Sequence, residues 1–585
     1  MKRRDVIAGG LAATAVSVFP LANARAAPFG RARPGQAGWP SEIQWAELAK
    51  ATGGRLSKPV VPAQLGDALI QFGRNPFYRG DTPGLTQSAG WLGAWRSEPS
   101  AYMVAAESAA DVASAVRFAA AHNLRLVVKG GGHSYFGTSS APDSLLIWTH
   151  KMNAVVVHDA FRPQGASAPV VPAISLGAGC IWLHAYQAAQ SAGRYVQGGG
   201  CTTVGVGGLI LGGGFGNFSK RYGLAAASLI ETEVVTADGQ VRVVNSARDP
   251  DLFWALKGGG GGTFGVVTRF TLATQDLPDR FGALDWVVRA HSDDAFRQLI
   301  AKFLEHYATT LFNPHWGEQA RVTPERQLRL SMVFQGKTSA EAEAAFKPLV
   351  DYVASHPGDF ETPKPLTAAS IRASWFWRPW VYRIFARDAA RFDDRPGANW
   401  GDFWWKGDGS NAGTFWSAYQ SLWLPAALLE PAARASLADA LFASSRKWTV
   451  SLHFNKGLAG APAEVITAAR DTPMNPDVAN AFALAIIATS TPDEPAEGLP
   501  EMVQARERAQ RVADAFEALR LIAPGAGSYF NECDYFLENW QQGQWGDHDP
   551  RLAEVKRRYG PKGLFFVHHG VGSEGWSADG FVRQA

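Results

Sequence analysis

Cysteine is scarce. The 585 residues hold three, Cys180, Cys201 and Cys533, too few for a disulfide framework and at no zinc-ligand spacing. Their spacing leaves open whether Cys180 and Cys533 pair. Charge is thin too: Asp, Glu, Lys and Arg make up 19% of the chain beside 46% apolar residues. The usual charged share is about 25%, and this balance excludes a mostly disordered chain. The formal net charge of +3 excludes a strongly basic nucleic-acid binder. No run of 18 consecutive apolar residues occurs, which argues against a transmembrane protein. Internal repeats and low-complexity tracts are absent. The paired His568 and His569 do not make a metal site, because neighbours on a strand point to opposite faces, and no metal is assigned.

The chain opens on a basic cluster. Lys2, Arg3 and Arg4 precede an apolar stretch rich in Gly and Ala, Val6 to Leu21, and Ala24-Arg25-Ala26 is a cleavage site of the A-x-A type. Arg3-Arg4 before a mild apolar run is a twin-arginine export signal. Residues 1–27 are therefore expected to be a signal peptide, with the twin-arginine machinery as partner and a periplasmic or secreted destination. The leader accounts for the whole net charge of +3. The mature chain is then formally neutral, with no nucleic-acid or acidic-surface partner and no stable membrane insertion expected.

Three stretches follow. Residues 28 to about 100 are irregular and rich in Gly, Pro and Trp. From about 101 to 278 short apolar runs alternate with helical ones. Ser108-x-x-Asp111 is a capping box opening a helix with Val112, Val116 and Ala119 on one face. Leu124–Val128, Ile174–Leu176 and Phe264–Leu272 are expected strands, and Ile181–Ala192 a helix. Asp238-Gly239 joins Glu231–Thr236 to Gln240–Val244 as a hairpin. Beyond Pro278, helical runs at Asp294–Tyr307 and Ala340–His356 alternate with strands at Arg326–Gln335 and Thr449–Asn455. A Trp-dense segment, Trp375 to Trp423, is read as core and loop anchors or as a stacking platform for sugar or aromatic substrates.

Chemistry concentrates in three glycine clusters. Gly130-Gly131-Gly132-His133-Ser134 follows directly on a strand. Its glycines permit positive φ and close backbone approach, and successive N–H groups form an anion nest. Neither the P-loop nor the Rossmann spacing is met. The second cluster runs from Gly198 through Gly200, Cys201, Thr202, Val204, Gly205 and Gly208 to Gly212 and Gly216. The third runs from Gly258 to Gly262 and on to Gly265 and Val267. Such density suits neither a packed helix nor an ordinary strand. A large, phosphate-bearing cofactor is the economical explanation.

These motifs resemble the flavin-binding domain of the vanillyl-alcohol oxidase superfamily, and within it the berberine-bridge-enzyme-like oxidases. GGGHS at 130–134 resembles that family's pyrophosphate loop, and GGCTTVGVGG at 199–208 its second flavin loop. Asp251–Lys257 leading into Gly265-Val266-Val267-Thr268 is similar, as is the closing segment around Asn539-Trp540-Gln541 and Tyr559-Gly560-Pro561. The likeness is thin over 280–520. It implies an α+β fold: a PCMH-type FAD-binding domain of two α/β subdomains (28–279), and a substrate domain with an antiparallel sheet covered by helices (280–524). A berberine-bridge-like segment (525–585) would return to the FAD domain. It also implies FAD bound bicovalently, His133 to the flavin 8α carbon and Cys201 to C6. Gly130, Gly131, Gly132, Ser134, Gly200, Thr202, Val204, Gly205, Gly208, Gly212, Gly265, Val267 and Asn531 would complete the cofactor site. Val204, three after the linked Cys, implies oxygen access to the reduced flavin.

The catalytic candidates are Glu532, Tyr529, His453 and Tyr135. The family's closing motif commonly supplies a Tyr as base, and Glu532 stands in its place within Tyr529-Phe530-Asn531-Glu532-Cys533-Asp534. Beside an apolar flavin face a carboxyl with raised pKa would serve as base, and the alternative is a structural hydrogen-bonding role. Ser451, His453 and Asn455 share one face of an alternating strand, from which His453 would point at substrate. Tyr135 follows His133 closely in the chain. The expected function is an exported oxidase that takes hydride from an alcohol, sugar or CH–NH carbon to flavin N5 and reduces O2 to H2O2. The alternatives are a dehydrogenase with a non-oxygen acceptor and a non-catalytic carbohydrate-binding protein.

Overall fold

The computed structural model describes residues 29–584 apart from positions 168, 494, 496 and 497. The expected leader lies outside the described residues. The first sheet runs Leu56–Ser57, Tyr102–Ala105, Ser144–Trp148, Arg125–Lys129, and its last three strands are parallel. Helix Ala109–Ala121 is the crossover between the two parallel strands Tyr102–Ala105 and Arg125–Lys129, which flank Ser144–Trp148. The Ser108 hydroxyl accepts from Asp111 N, the Asp111 carboxylate accepts from Ser108 N, and Val112, Val116 and Ala119 are fully buried.

The second sheet is antiparallel throughout, in the order Val241–Val244, Leu229–Val235, Val266–Ala273, Val171–Gly177, Val155–Phe161. Its hairpin closes at Asp238-Gly239. There Gly239 takes φ +73°, and Asp238 accepts from the Gln240 amide.

A nine-stranded sheet dominates the rest, from Phe360–Arg372 at one edge to Trp95–Arg96 at the other. Helices Asp293–His306, Ser339–Ala354, Pro431–Ser445 and Pro500–Ile522 cover one face, and their apolar sides share a core with Ala320, Val322, Val450 and Leu452. Alternation along the strands turns Gln319, Arg321 and His453 to the opposite face. The expected face of Ser451, His453 and Asn455 is only partly realised. The strand ends at His453, and Asn455 sits in the turn Phe454–Lys456, bonded to the Gly216 carbonyl. Residues before 100 are less irregular than expected: Ser88–Trp91 pairs in parallel with Thr414–Pro425. The approach needs a glycine, since a Cβ at Gly90 would fall 2.6 Å from the Phe415 ring.

The closing segment lies against the first two sheets. Phe565 bridges Leu126, and the Lys556 ammonium donates to the Thr263 and Phe565 carbonyls. All three cysteines are free, so Cys180 and Cys533 do not pair. His568 and His569 are not on a strand. They occupy a turn with their rings stacked at 3.9 Å, His569 at φ +53°. Trp377, Trp404, Trp416 and Trp423 are core anchors, whereas Trp375 and Trp400 are exposed. Among the described residues no helix is long and apolar enough to cross a membrane.

Candidate functional site

The three glycine clusters meet around one cavity of about 550 Å³, within the roughly 300–1,000 Å³ usual for ligand sites. Their floor is backbone. A Cβ on Gly131 would lie 2.7 Å from Gly205 N, and one on Gly205 2.7 Å from Gly131 N. Any side chain at either position would prise the two loops apart. Gly132 turns the first loop at φ +75°, and the Ser134 hydroxyl accepts from Phe136 N and Thr138 N to close it. Gly130, Gly200, Val204, Gly208, Gly265 and Val267 also border the cavity. Thr202 and Gly212 stand behind this lining. Thr202 is buried, and Gly212 packs beneath Asn531.

Two nucleophiles face the same space from different loops. His133 Nε2 lies 3.1 Å from the carbonyl of Thr203, two residues after Cys201. A carbonyl only accepts, so Nε2 carries the proton and the Nδ1 lone pair is free. Burial lowers the His133 pKa to about 4, which keeps the ring neutral. The Cys201 loop is fixed from above, where Trp405 Nε1 donates to the Gly200 carbonyl at 3.1 Å. Burial, then the nearby Asp408 carboxyl, push the Cys201 thiol well above its ordinary pKa. Burial raises Asp408 to about 7; the nearby Cys201 thiol opposes that rise and Glu318 adds to it. Burial also raises Glu318, with Lys456 opposing and Glu532 adding. Glu318 occupies the left-handed region at φ +63°, a strain that folds retain mainly at functional sites.

The roof is charged. Lys456 Nζ pairs with Glu532 Oε2, and Tyr419 OH donates to the same oxygen at 3.3 Å. On its protein side Glu532 is thus held by an ion pair and a hydrogen bond. Tyr529 is buried, edge-on to Phe215, and its hydroxyl accepts from Asn531 Nδ2 at 2.9 Å. Burial, reinforced by Glu532, raises its pKa. Tyr135 packs on Trp416 and Tyr419 with ring centroids at 4.7 and 5.3 Å, and its pKa is raised chiefly by burial. His453 is held neutral by burial and by the nearby Lys456 and Arg321, and its Nδ1 has no partner.

Sequence reasoning missed Glu318, Asp408, Tyr419 and Lys456. Each is an ordinary polar residue in its local pattern, and only the crossing of strands and turns over the glycine floor brings them together. The twist at Glu318 had no glycine to announce it.

The residues present fit a flat, phosphate-bearing group. The floor is a glycine cradle without side chains, and no atom lies within 4 Å of where a Cβ on Gly208 would sit. Around the cavity, Gln87 Oε1, Asp408 Oδ2, His453 Nδ1 and Asn455 Oδ1 are buried without partners. Buried polar atoms normally find one.

An FAD binding domain model matches residues 100–245, and a "berberine and berberine like" model matches 528–572. An FAD-linked oxidoreductase of Arthroderma benhamiae is 29% identical over 96% of this chain and 98% of its own. The crystal structure of the VAO-type flavoprotein MtVAO615 from Myceliophthora thermophila C1 superposes with TM-score 0.76 at 26% identity, over 95% of this chain and 100% of that one. The glucooligosaccharide oxidase of Acremonium strictum shares the fold at TM-score 0.60 and 21% identity, over 81% of this chain and 91% of that one.

Proposed function

Because this chain is an FAD-linked oxidoreductase of the vanillyl-alcohol-oxidase and berberine-bridge-like family, we propose that it is an oxidase with FAD attached through both His133 and Cys201. Its substrate is an alcohol, a sugar or a related CH–NH compound, and O2 is the final acceptor. The observation that carries this is the interlock of the two loops, which puts the free Nδ1 of His133 and the Cys201 thiol on one cavity beneath Glu532. The Acremonium strictum oxidase carries a 6-S-cysteinyl, 8α-N1-histidyl FAD, the same pair of residue types. When bound, FAD supplies a two-electron acceptor that O2 regenerates with release of H2O2.

The chain's own residues do the rest. The glycine floor accepts the pyrophosphate, and Gly130, Gly131, Gly132 and Ser134 form its loop. Asp408, whose carboxyl ionises near pH 7, would take the Cys201 thiol proton where it is ionised. Glu532 takes the substrate's hydroxyl or amine proton on a carboxylate oxygen, a role that typically contributes 10²–10⁴-fold. Lys456 orients that carboxylate and offsets its charge, and Tyr419 fixes it from the other side. His453, neutral and with Nδ1 free, accepts a hydrogen bond from substrate. Tyr135 and Tyr529 wall the cavity and hold their protons. Val204 leaves O2 a way in. Residues 28–279 with 525–585 serve the cofactor and 280–524 the substrate, and the basic leader directs export through the twin-arginine route to the periplasm or beyond.

Acid precipitation of the purified protein tests the attachment: flavin absorbance should stay in the washed pellet. Flavin released to the supernatant would refute the covalent links, and no flavin at all would remove the oxidase reading. An H2O2-coupled screen of alcohols, sugars and amines tests the acceptor. Substrate-driven flavin reduction without O2 uptake would assign another electron acceptor.

A further inference from the structure

Formal neutrality of the mature chain hides a local excess of positive charge. Between Arg372 and Asp408 runs a segment whose end, Gly407 and Asp408, lines the cavity and whose earlier part turns side chains to solvent. Trp375, Ile384, Phe385 and Trp400 are 43%, 62%, 76% and 58% exposed there. The rings between 375 and 385 are joined. Trp375 meets Trp380 at 5.8 Å, Trp380 meets Phe385 at 6.2 Å, and the Arg372 guanidinium lies over Trp375 at 5.6 Å. A contiguous exposed apolar patch marks an interaction site rather than ordinary surface. Trp377 and Trp404 in the same segment are buried, so anchoring the loop does not require the exposed rings.

The rim decides the partner. Arg383 pairs with Asp394, and Arg395 with Asp393 and Asp81. Arg372, Arg378, Arg387 and Arg391 pair with no carboxylate among the described residues. Arg372 also stands opposite Arg280 in the ladder, a like-charge placement that costs stability. Asp388 is the one exposed acid close in sequence to these arginines that makes no ion pair. A second copy docking about a twofold axis would bring this patch against itself, arginine against arginine. Exposed Trp and Phe ringed by unpaired Arg instead match the interfacial zone of a lipid surface.

We propose that this face is a docking surface for an anionic lipid bilayer. The contact is peripheral, aromatic rings at headgroup depth and guanidinium groups on lipid phosphates. On its inner side the same segment supplies Trp405 to the Gly200 carbonyl and Asp408 to the cavity, so docking seats the outer side of a cavity wall on the membrane.

Flotation of the flavin-loaded protein with vesicles tests this, using phosphatidylcholine alone and phosphatidylcholine mixed with phosphatidylglycerol. Binding is expected to the anionic vesicles alone, and to fall at high salt. R372Q and R378Q should each weaken it about fivefold, the equivalent of roughly 1 kcal/mol per basic residue at an anionic surface. W375A/F385A should bring it to background, with circular dichroism and acid-stable flavin unchanged. Equal binding to both vesicle types, no binding, or binding indifferent to these variants would overturn the proposal. A concentration-dependent dimer lost in W375A/F385A would assign the face to a second copy instead. Heparin binding lost in R372Q and R378Q, without vesicle binding, would assign it to a soluble polyanion.

Discussion

Gly212 and Asn531 come from different ends of the chain and meet where the closing segment presses on the second glycine cluster. A Cβ on Gly212 would lie 2.3 Å from Asn531 Nδ2 and 2.7 Å from its Cγ. Comfortable contact is about 3.5 Å, so Gly212→Ala must push the amide away by about 1 Å. That breaks its 2.9 Å bond to Tyr529 OH and its 3.4 Å bond to the Gly208 carbonyl. Gly212 has φ −95°, so alanine meets no backbone strain and the clash alone is tested. Overpacking costs about 1–3 kcal/mol and loss of the 2.9 Å hydrogen bond about 1 kcal/mol, the long, exposed 3.4 Å bond adding little, a total near 2–4 kcal/mol. Asn531→Ala alone should cost about 1 kcal/mol. In the double variant the clash has no partner and the bond is already gone, so the costs should fall short of additivity by about 2–4 kcal/mol, toward the upper end of the range for contacting pairs. Urea unfolding midpoints of the four proteins, followed by Trp fluorescence with acid-stable flavin as a second readout, measure this coupling. Additive costs would refute the contact as drawn.

Three further outcomes are expected. Lys456→Met should slow substrate-driven flavin reduction at least about tenfold with flavin content unchanged, and Lys456→Arg should recover much of the rate; equal rates in all three would remove the ion pair from the mechanism. Cys201→Ala should leave flavin held by His133 alone, still acid-stable but with the spectrum of a single link; complete loss of flavin in acid would refute the role of His133. Asp408 has its pKa raised from 3.8 to about 7, so the folded chain keeps a proton that the unfolded chain releases, and the stability this confers is present below about pH 4 and lost as pH rises to 7. Asp408→Asn should therefore be neutral below pH 4 and stabilise at pH 8, by about 1–2 kcal/mol once cavity water is allowed for; an effect independent of pH would show that burial does not govern this carboxyl.

Local pattern carried far in the cofactor half. The capping box at Ser108 and Asp111, the strand before Gly130 and the hairpin at Asp238-Gly239 are set by residues within one turn or one strand of each other. Their physics is local, and the structure places them as expected. The glycine clusters were equally legible, because only glycine tolerates backbone packed on backbone, as Gly131 and Gly205 do. Legibility failed where partners are remote. Nothing near Glu532 in the chain announces Lys456, its ion-pair partner. His568 and His569 were read with strand geometry that a turn at φ +53° does not have. Asn455 reaches the cavity from the turn after the strand rather than from the strand itself, which ends two residues earlier.

By itself the sequence determined the chemistry available: a glycine floor for a phosphate-bearing cofactor, one His and one Cys in separate loops, and a closing motif with Glu in place of Tyr. Those features are written in residue type and short spacing, and no folding partner alters them. Only the tertiary structure decided the electrostatics of the site. It brought Glu318, Asp408, Tyr419 and Lys456 over the floor from elsewhere in the chain, and set Glu532 in an ion pair with Lys456. Proton affinities and ion pairs depend on burial and on distances of a few ångströms, which sequence separations of a hundred residues do not encode.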